Sequence, residues 1–227
     1  MKTDEITQEL PKALIKWYQF RKNSTALYVT TNKGDKKDRD LALVKVLQEN
    51  KMMVTCRTVE ELFIASFDTT QRYDYIVLSS AVECCECPET LLKQLHGLLC
   101  SQGRMLLGVN NRMGIRYFCG DRDPYTGRSF DGVENYRRAY SKKEDDFLGR
   151  MYSRSEWEIM LRQAGFHSFR FYSVLSDLDN PVFIYAEEYL PNEDLANRVF
   201  PTYNFPDSVF LEEESIYESL IENGMFH

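Results

Sequence analysis

The feature that most constrains this chain is an alternation of strand-like and helix-like segments. Short runs of β-branched, aliphatic and aromatic residues occur as TALYVTT at 25–31, MMVTCR at 52–57, YDYIVLSS at 73–80 and MLLGV at 105–109. The first three are followed by stretches with helical periodicity, DLALVKVLQEN at 40–50, TVEELFIAS at 58–66 and the run from Pro88 to Leu99. Strands separated by helices pair in parallel, because a tight turn cannot join parallel neighbours, and a strand with both faces covered reads as a continuous apolar run. Arg104 to Val109 is expected to be such a fully buried strand, with Gly103 ending the helix before it. Two later runs, Phe169 to Val174 and Val182 to Ala186, are joined by SDLDNP and predict an antiparallel hairpin at one edge. The expected fold class is α/β, a doubly wound, Rossmann-like, mostly parallel sheet with an antiparallel C-terminal hairpin.

Punctuation along the chain supports this division. Thr58, with Glu61 three places on, forms a capping box, Pro88 suits the first turn of a helix, and Gly165 stops the helix that runs from Ser153 to Ala164 through Trp157, Met160 and Leu161. Ile6, Leu10, Leu14 and Trp17 sit at helical spacing, which predicts an N-terminal helix within 1–22. The main α/β domain then spans 23–190. A C-terminal extension, 191–227, carries an acidic helix expected to pack Phe210, Leu211, Ile216, Leu220 and Ile221 inward.

Charge narrows the function classes. With a net charge of −7 and no evident basic face, the chain lacks the Lys/Arg patch that phosphate backbones and anionic membranes require. No apolar run approaches the roughly 20 residues of a membrane span, and MKTDEITQELPKAL has no signal-peptide core, so a cytoplasmic location is expected. Six cysteines, Cys56, Cys84, Cys85, Cys87, Cys100 and Cys119, are expected to be reduced thiols. The compact CCEC run at 84–87 closes a metal tetrahedron poorly and has no second C-x-x-C partner, so no metal is expected; Cys84 to Cys87 read as small apolar thiols between a strand and a helix.

The richest chemistry follows the strand at 104–109. There the chain reads NNRMGIRYFCGDRDPYTGRSFDGVENY from Asn110 to Tyr136. A long polar loop at the carboxyl end of a parallel strand is where α/β proteins build sites; the alternative is a solvated excursion held by local salt bridges. From the residues alone both remain open.

The run YDYIVLSSAVECCECPETLLKQLHGLLCSQGRMLLGVNNRMGIRYF resembles class I S-adenosylmethionine-dependent methyltransferases, in which a strand ends at the cofactor, a helix closes on an LLKPGG-like turn, and the next strand delivers substrate residues. NNRMGIRYFCGDRDPYTGRSFDGVENY is similar to the E-N-R-x-G-L-K-Y…E-D-H-T-G…F-D-G-I-x-x-Y signature of methyltransferase domains in bacterial surface-polysaccharide proteins, often beside glycosyltransferase domains. SEWEIMLRQAGF and EEYLP fit the same family, and the resemblance covers the chain from about Ser24 to its end.

The resemblance implies Asp123, Tyr125 and Glu134 as base or orienting groups near an acceptor hydroxyl, and Asn110, Asn111, Arg112, Tyr117, Asp131 and Tyr136 as substrate-binding residues. For S-adenosylmethionine it implies Thr30, Asn32, Gly34, Arg57 and Ser79. Here the chain departs from the family it resembles. The glycine-rich turn after the first strand is reduced to NKGDKKD with Gly34 alone, and MMVTCR ends in Arg57 and Thr58 where an acid would take the ribose hydroxyls. The spacing from Tyr28 to Tyr75 leaves the fold one strand-helix unit shorter than the standard methyltransferase fold, and Tyr125 stands near the signature's histidine.

These departures favour a methyltransferase-like, non-catalytic scaffold that binds a carbohydrate or a neighbouring glycosyltransferase domain in surface-glycan biosynthesis. The other reading is an active S-adenosylmethionine-dependent methyltransferase acting on a glycan or glycan precursor. A third, remoter class is a nucleotide or nucleotide-sugar site at Gly34 with Lys33, Lys36 and Lys37, against the plainer reading of a lysine-rich surface turn.

Overall fold

A computed structural model describes residues 15, 17–32, 37–64, 67–140, 146–176, 178, 181–187 and 201–223. Two compact units emerge. The first comprises Met1–Val109, Arg154–His167 and Leu178–Asn180, and the second Asn110–Ser153, Ser168–Asp177 and Pro181–His227.

The first unit is a parallel sheet. Strands β1 (Thr25–Thr30), β2 (Met53–Thr58), β3 (Tyr73–Ser79) and β4 (Leu99–Gly108) lie in the order β2-β1-β3-β4, every pairing parallel. Ala26, Leu27, Tyr28 and Val29 of β1 and Ile76, Val77 and Leu78 of β3 are buried, as central strands of β-branched, aliphatic and aromatic residues require. The helices turn apolar stripes to this core: Leu43, Val46 and Leu47 from α1 (Lys37–Glu49), and Leu91, Leu92 and Leu95 from α3 (Pro88–Gly97), which opens with Pro88. Trp157, Met160 and Leu161 do the same in α5 (Arg154–Gln163), which packs against α3. Gly165 stops α5 at φ +103, and a Cβ there would lie 3.0 Å from the His96 ring, so both backbone and neighbour demand glycine.

The one-turn helix α2 (Val59–Leu62) is fixed by the expected capping box. The Glu61 N–H donates to Thr58 Oγ1 at 3.2 Å and the Thr58 N–H to Glu61 Oε2 at 2.7 Å. Between Tyr28 and Tyr75 the chain builds α1, β2 and α2 and then enters β3, so no further strand lies outside β2 among the described residues. The Rossmann-like, mostly parallel architecture expected from the sequence is the one observed.

Several boundaries differ from expectation. β4 begins at Leu99, not Arg104, and the helix before it ends at Gly97. Gly103 sits within the strand at an irregularity opposite Tyr73 and Tyr75, where a Cβ would approach Tyr73 O to 2.9 Å, so it marks a bulge and not a helix end. Nor is β4 fully buried. Met105 to Gly108 are half-buried, as suits the edge strand of a four-stranded sheet.

In the second unit β5 (Tyr172–Ser176) and β6 (Pro181–Ala186) form an antiparallel sheet of their own, and do not extend the parallel one. Its core joins Leu175 and Tyr217 with half-buried Ile115, Phe183 and Tyr185, which brings together α4 (Ile115–Phe118), the hairpin and α6 (Glu213–Glu222). The acidic helix thus turns inward Glu213 and Tyr217, one helical turn apart; Phe210 and Leu211, expected inside, precede the helix and are exposed. Most of the N-terminal helix expected within 1–22 lies outside the described residues.

Candidate functional site

In the first unit the chain passes from β1 to β2 on one side and then returns to β3 on the other. This reversal of strand order is the place where open α/β sheets form a ligand crevice, at the carboxyl ends of the strands. Thr30, Thr31 and Asn32 end β1 there, and Ser79 and Ser80 end β3. Thr30 is not open to a ligand: its hydroxyl donates to Asp40 of α1, which also accepts the Tyr28 hydroxyl at 2.8 Å. Asn32 is exposed, Ser79 is buried and Gly34 lies outside the described residues, as do Lys33 and Lys36 of the lysine-rich turn.

Arg57, at the carboxyl end of β2, is exposed and turns its guanidinium back onto Cys56 O at 2.8 Å. Glu61 is engaged as the cap of α2. Ser80 adopts a left-handed φ of 54 and its N–H donates to Gly108 O at 2.8 Å, so backbone strain sits just past β3. Two acids of this crevice region escaped the sequence reading: Asp40, and Glu83, fully buried in the turn Val82–Cys84. Their only sequence signal is an acid within an otherwise apolar or helical stretch.

The polar loop belongs to the second unit and is an ordered structure, not a solvated excursion. Asp121, Asp123 and Asp131 are 0%, 1% and 4% exposed. Asp121 pairs with Arg116 Nε at 3.0 Å and accepts the N–H groups of Arg122 (3.0 Å), Asn204 (2.9 Å) and Phe205 (2.8 Å). This carboxylate ties the loop to the C-terminal extension. Gly120, at φ +106, lies under Phe210, whose ring would stand 2.4 Å from a Cβ.

Asp123 is likewise enclosed. Its Oδ1 accepts the N–H groups of Tyr125 at 2.9 Å and Thr126 at 3.0 Å, and its Oδ2 accepts the Tyr136 hydroxyl at 2.6 Å. Burial raises its pKa above the ordinary carboxylate value, the Tyr136 and backbone hydrogen bonds oppose that rise, and the nearby charge of Asp131 adds to it. Tyr136 is the hub: its hydroxyl also accepts the Met151 N–H at 2.8 Å, and Arg150 lies over its ring at 5.4 Å and over the Tyr152 ring at 5.0 Å.

The structure therefore brings Asp123, Asp131 and Tyr136 together, with Arg112 beside them donating to Gly132 O at 3.2 Å. It places Tyr125 with its ring against Gly149. Glu134 is half-buried and paired with Arg138 at 3.2 Å. Asn110 is half-buried, Asn111 accepts the Met113 N–H at 3.0 Å, and Tyr117 is buried with Arg116 6.0 Å from its ring centre.

Behind the loop, Glu213 is raised by burial, against the opposing Arg116 charge and the Tyr217 hydroxyl that donates to it at 3.3 Å. Burial and Glu213 push the Tyr203 phenol up to about 12 and the Cys119 thiol up to about 11. Cys84 and Cys85 are buried between β3 and α3 and Cys87 is exposed at the start of α3; no group of three or more metal-ligating side chains is assembled among the described residues.

No family model matches this chain, and no curated protein does. Solved structures do. A protein of Thermotoga maritima described as an S-adenosylmethionine-dependent methyltransferase, possible histamine N-methyltransferase, is 13% identical over 80% of this chain and 85% of its own, with a TM-score of 0.48. The CcbJ methyltransferase of Streptomyces caelestis is 12% identical over 79% of this chain and 90% of its own, with a TM-score of 0.42. The plantazolicin methyltransferase BpumL, in complex with S-adenosylhomocysteine, is 15% identical over 77% and 69%, with a TM-score of 0.41. Among the described residues no helix is long and apolar enough to cross a membrane.

Proposed function

We propose that this chain is a methyltransferase-like domain whose S-adenosylmethionine site is eroded, and that it acts as a non-catalytic carbohydrate- or partner-binding domain in surface-glycan biosynthesis. The sequence resemblance supplies the family, and the strand order β2-β1-β3-β4 supplies a matching crevice.

The observation that carries the reading is the state of the groups around that crevice. Where the family signature calls for an acid after the second strand, Arg57 bonds its own strand and Glu61 caps α2. Thr30 and Tyr28, which belong to β1, are both engaged by Asp40. Ribose hydroxyls and the cofactor's amino-acid portion need free acceptors and a bare backbone at these two strand ends; at the end of β2 Arg57 turns to the Cys56 carbonyl and at the end of β1 Thr30 turns to Asp40. These engagements support the eroded-site reading.

A second reading, an active methyltransferase acting on a glycan or glycan precursor, draws on Asp123. A buried carboxyl with a raised pKa, held by Tyr136, is a recognisable general base.

Calorimetric titration of the folded protein with S-adenosylmethionine and S-adenosylhomocysteine separates the two. No heat of binding from a sample with a cooperative thermal transition is the expected result. Saturable micromolar binding would overturn the eroded-site reading.

A further inference from the structure

The second unit leaves a group of large apolar side chains in solvent. Phe210 is 64% exposed, Leu211 46%, and Phe130 and Phe205 37% each. They come from the loop and from the C-terminal extension, which meet at Gly120. Gly120 O accepts the Ser129 hydroxyl at 3.2 Å and the Ser208 hydroxyl at 3.0 Å, and the Phe210 ring lies over Gly120. The Phe130 and Phe210 rings stand 6.3 Å apart. By side-chain size these four residues leave about 300–400 Å² of apolar surface in water, close to the largest patch a solitary protein usually shows. Phe130 is also held at a left-handed φ of 69, a conformation that a bulky residue keeps only where its surroundings or its task require it.

The charges beside the patch are unused. Arg21, Arg138 and Arg154, all exposed, pair with Asp74, Glu134 and Glu158. Arg122 and Arg128 are exposed as well, but neither guanidinium makes an ion pair or hydrogen bond among the described residues. Arg122 lies over the Phe205 ring at 5.5 Å, which leaves the N–H edge of its fork open to a carboxylate. Glu212 and Glu214, exposed just after Phe210 and Leu211, likewise have no cationic partner among the described residues.

We infer that this patch is the contact face of a two-fold dimer of the chain, the loop of each copy set against the extension of the other. The arrangement follows from which segment carries which sign. Phe130 of the loop comes with Arg122 and Arg128, whereas Phe210 and Leu211 of the extension come with Glu212 and Glu214. A two-fold axis at the Phe130 and Phe210 pair puts aromatic on aromatic at the centre and arginine against glutamate at the rim. A foreign partner would need acids for one segment and bases for the other; a second copy supplies both. The apolar patch is about half of the roughly 800 Å² that each partner buries in a standard interface, and the charged rim supplies the rest, so the dimer is a reversible one of micromolar strength. It does not depend on the S-adenosylmethionine crevice, which belongs to the other unit.

Sedimentation velocity of the whole chain at about 1 to 300 μM brackets such an equilibrium, and the parent is expected to pass from monomer to dimer across it. R122E/R128E and E212R/E214R each set like charges against one another and should raise the dimer Kd at least about tenfold. L211S, which removes exposed apolar surface and no charge, should raise it too. An equimolar mixture of the two reversed variants should dimerise as tightly as the parent, because each loop then faces an extension of opposite sign. Both variants remain net negative, so bulk charge does not draw them together. K45E/K93E changes net charge as much as R122E/R128E does, at exposed positions of the other unit, and should alter Kd far less. All these side chains are exposed, so every variant should keep the parent's thermal midpoint. A parent that stays monomeric, or a dimer indifferent to both reversals, overturns the inference. So does a mixture no tighter than its two components alone. Should E212R/E214R lose its thermal transition, R122E/R128E and L211S decide: a dimer unchanged in both overturns the inference. A monomeric parent that binds poly-L-glutamate through Arg122 and Arg128 assigns the face to another acidic protein and overturns the second copy.

Discussion

At the residue scale, the loop shows how little a polar residue's type says about its task. Asp123, Asp131 and Tyr136 are all legible as site candidates, because acids and tyrosines in a glycine-punctuated loop after a parallel strand are where ligands bind. Their division of labour is not legible, since it depends on which oxygen meets which N–H. Asp121 is harder still: its donors at Asn204 and Phe205 lie more than eighty residues along the chain. Removing this acid leaves Arg116 and three backbone N–H groups without their acceptor, so D121A is expected to lower the unfolding free energy by about 3–5 kcal/mol, the usual loss on breaking a buried pair. Urea unfolding measures it, and amide exchange at Asn204 and Phe205 should accelerate more than exchange in the parallel sheet. Tyr136 tests the hub in the same way. Y136F leaves the Met151 N–H without its acceptor and Asp123 Oδ2 without its donor, and should cost about 1–3 kcal/mol by the same measurement.

At the element scale the alternation of apolar runs with helical stretches was enough to place the parallel strands, because a six-residue strand such as TALYVT buries four consecutive residues and is too short and too rich in β-branched and aromatic residues for a buried helix. Less visible was the start of β4. LCSQGR contains the residues of a turn, and only pairing with β3 across the bulge at Gly103 makes it a strand. The hairpin shows the same limit: its two strands are local, but whether they join the parallel sheet is set by distant contacts, and here they form a sheet alone. Capping was readable because its chemistry is local. T58A removes the hydroxyl that accepts the Glu61 N–H, so a loss of about 1 kcal/mol is expected, with an unchanged dependence on urea concentration. An unaltered stability would mean that α2 does not need its cap.

At the scale of the whole molecule, the buried acids make stability depend on pH in an uncommon direction. Most paired carboxylates have lowered pKa values and stabilise a protein as pH rises out of the acid range. Asp123 and Glu213 are both raised, chiefly by burial. In the pH interval between the unfolded value, near 4.5 for Glu213, and its higher folded value, the native state holds more protons than the unfolded chain. Stability from this group is therefore complete below the unfolded value and is lost as pH rises through the folded one. Gln at position 213 cannot ionise, yet its side-chain oxygen can still accept the Tyr217 hydroxyl. The unfolding free energy of E213Q minus that of the parent chain should therefore increase from pH 4 upward, E213Q becoming relatively more stable, and level off once Glu213 is ionised in the native state. Urea unfolding at several pH values from 4 to 8 measures the difference directly. The Arg116 guanidinium opposes the trend, because E213Q also removes a carboxylate that its charge favours, while Asp121 retains its own pair with Arg116 at 3.0 Å. A difference that stays flat with pH would show that Glu213 has the same affinity for its proton in both states, and a difference that shrinks would show that the Arg116 charge, not burial, governs this carboxyl.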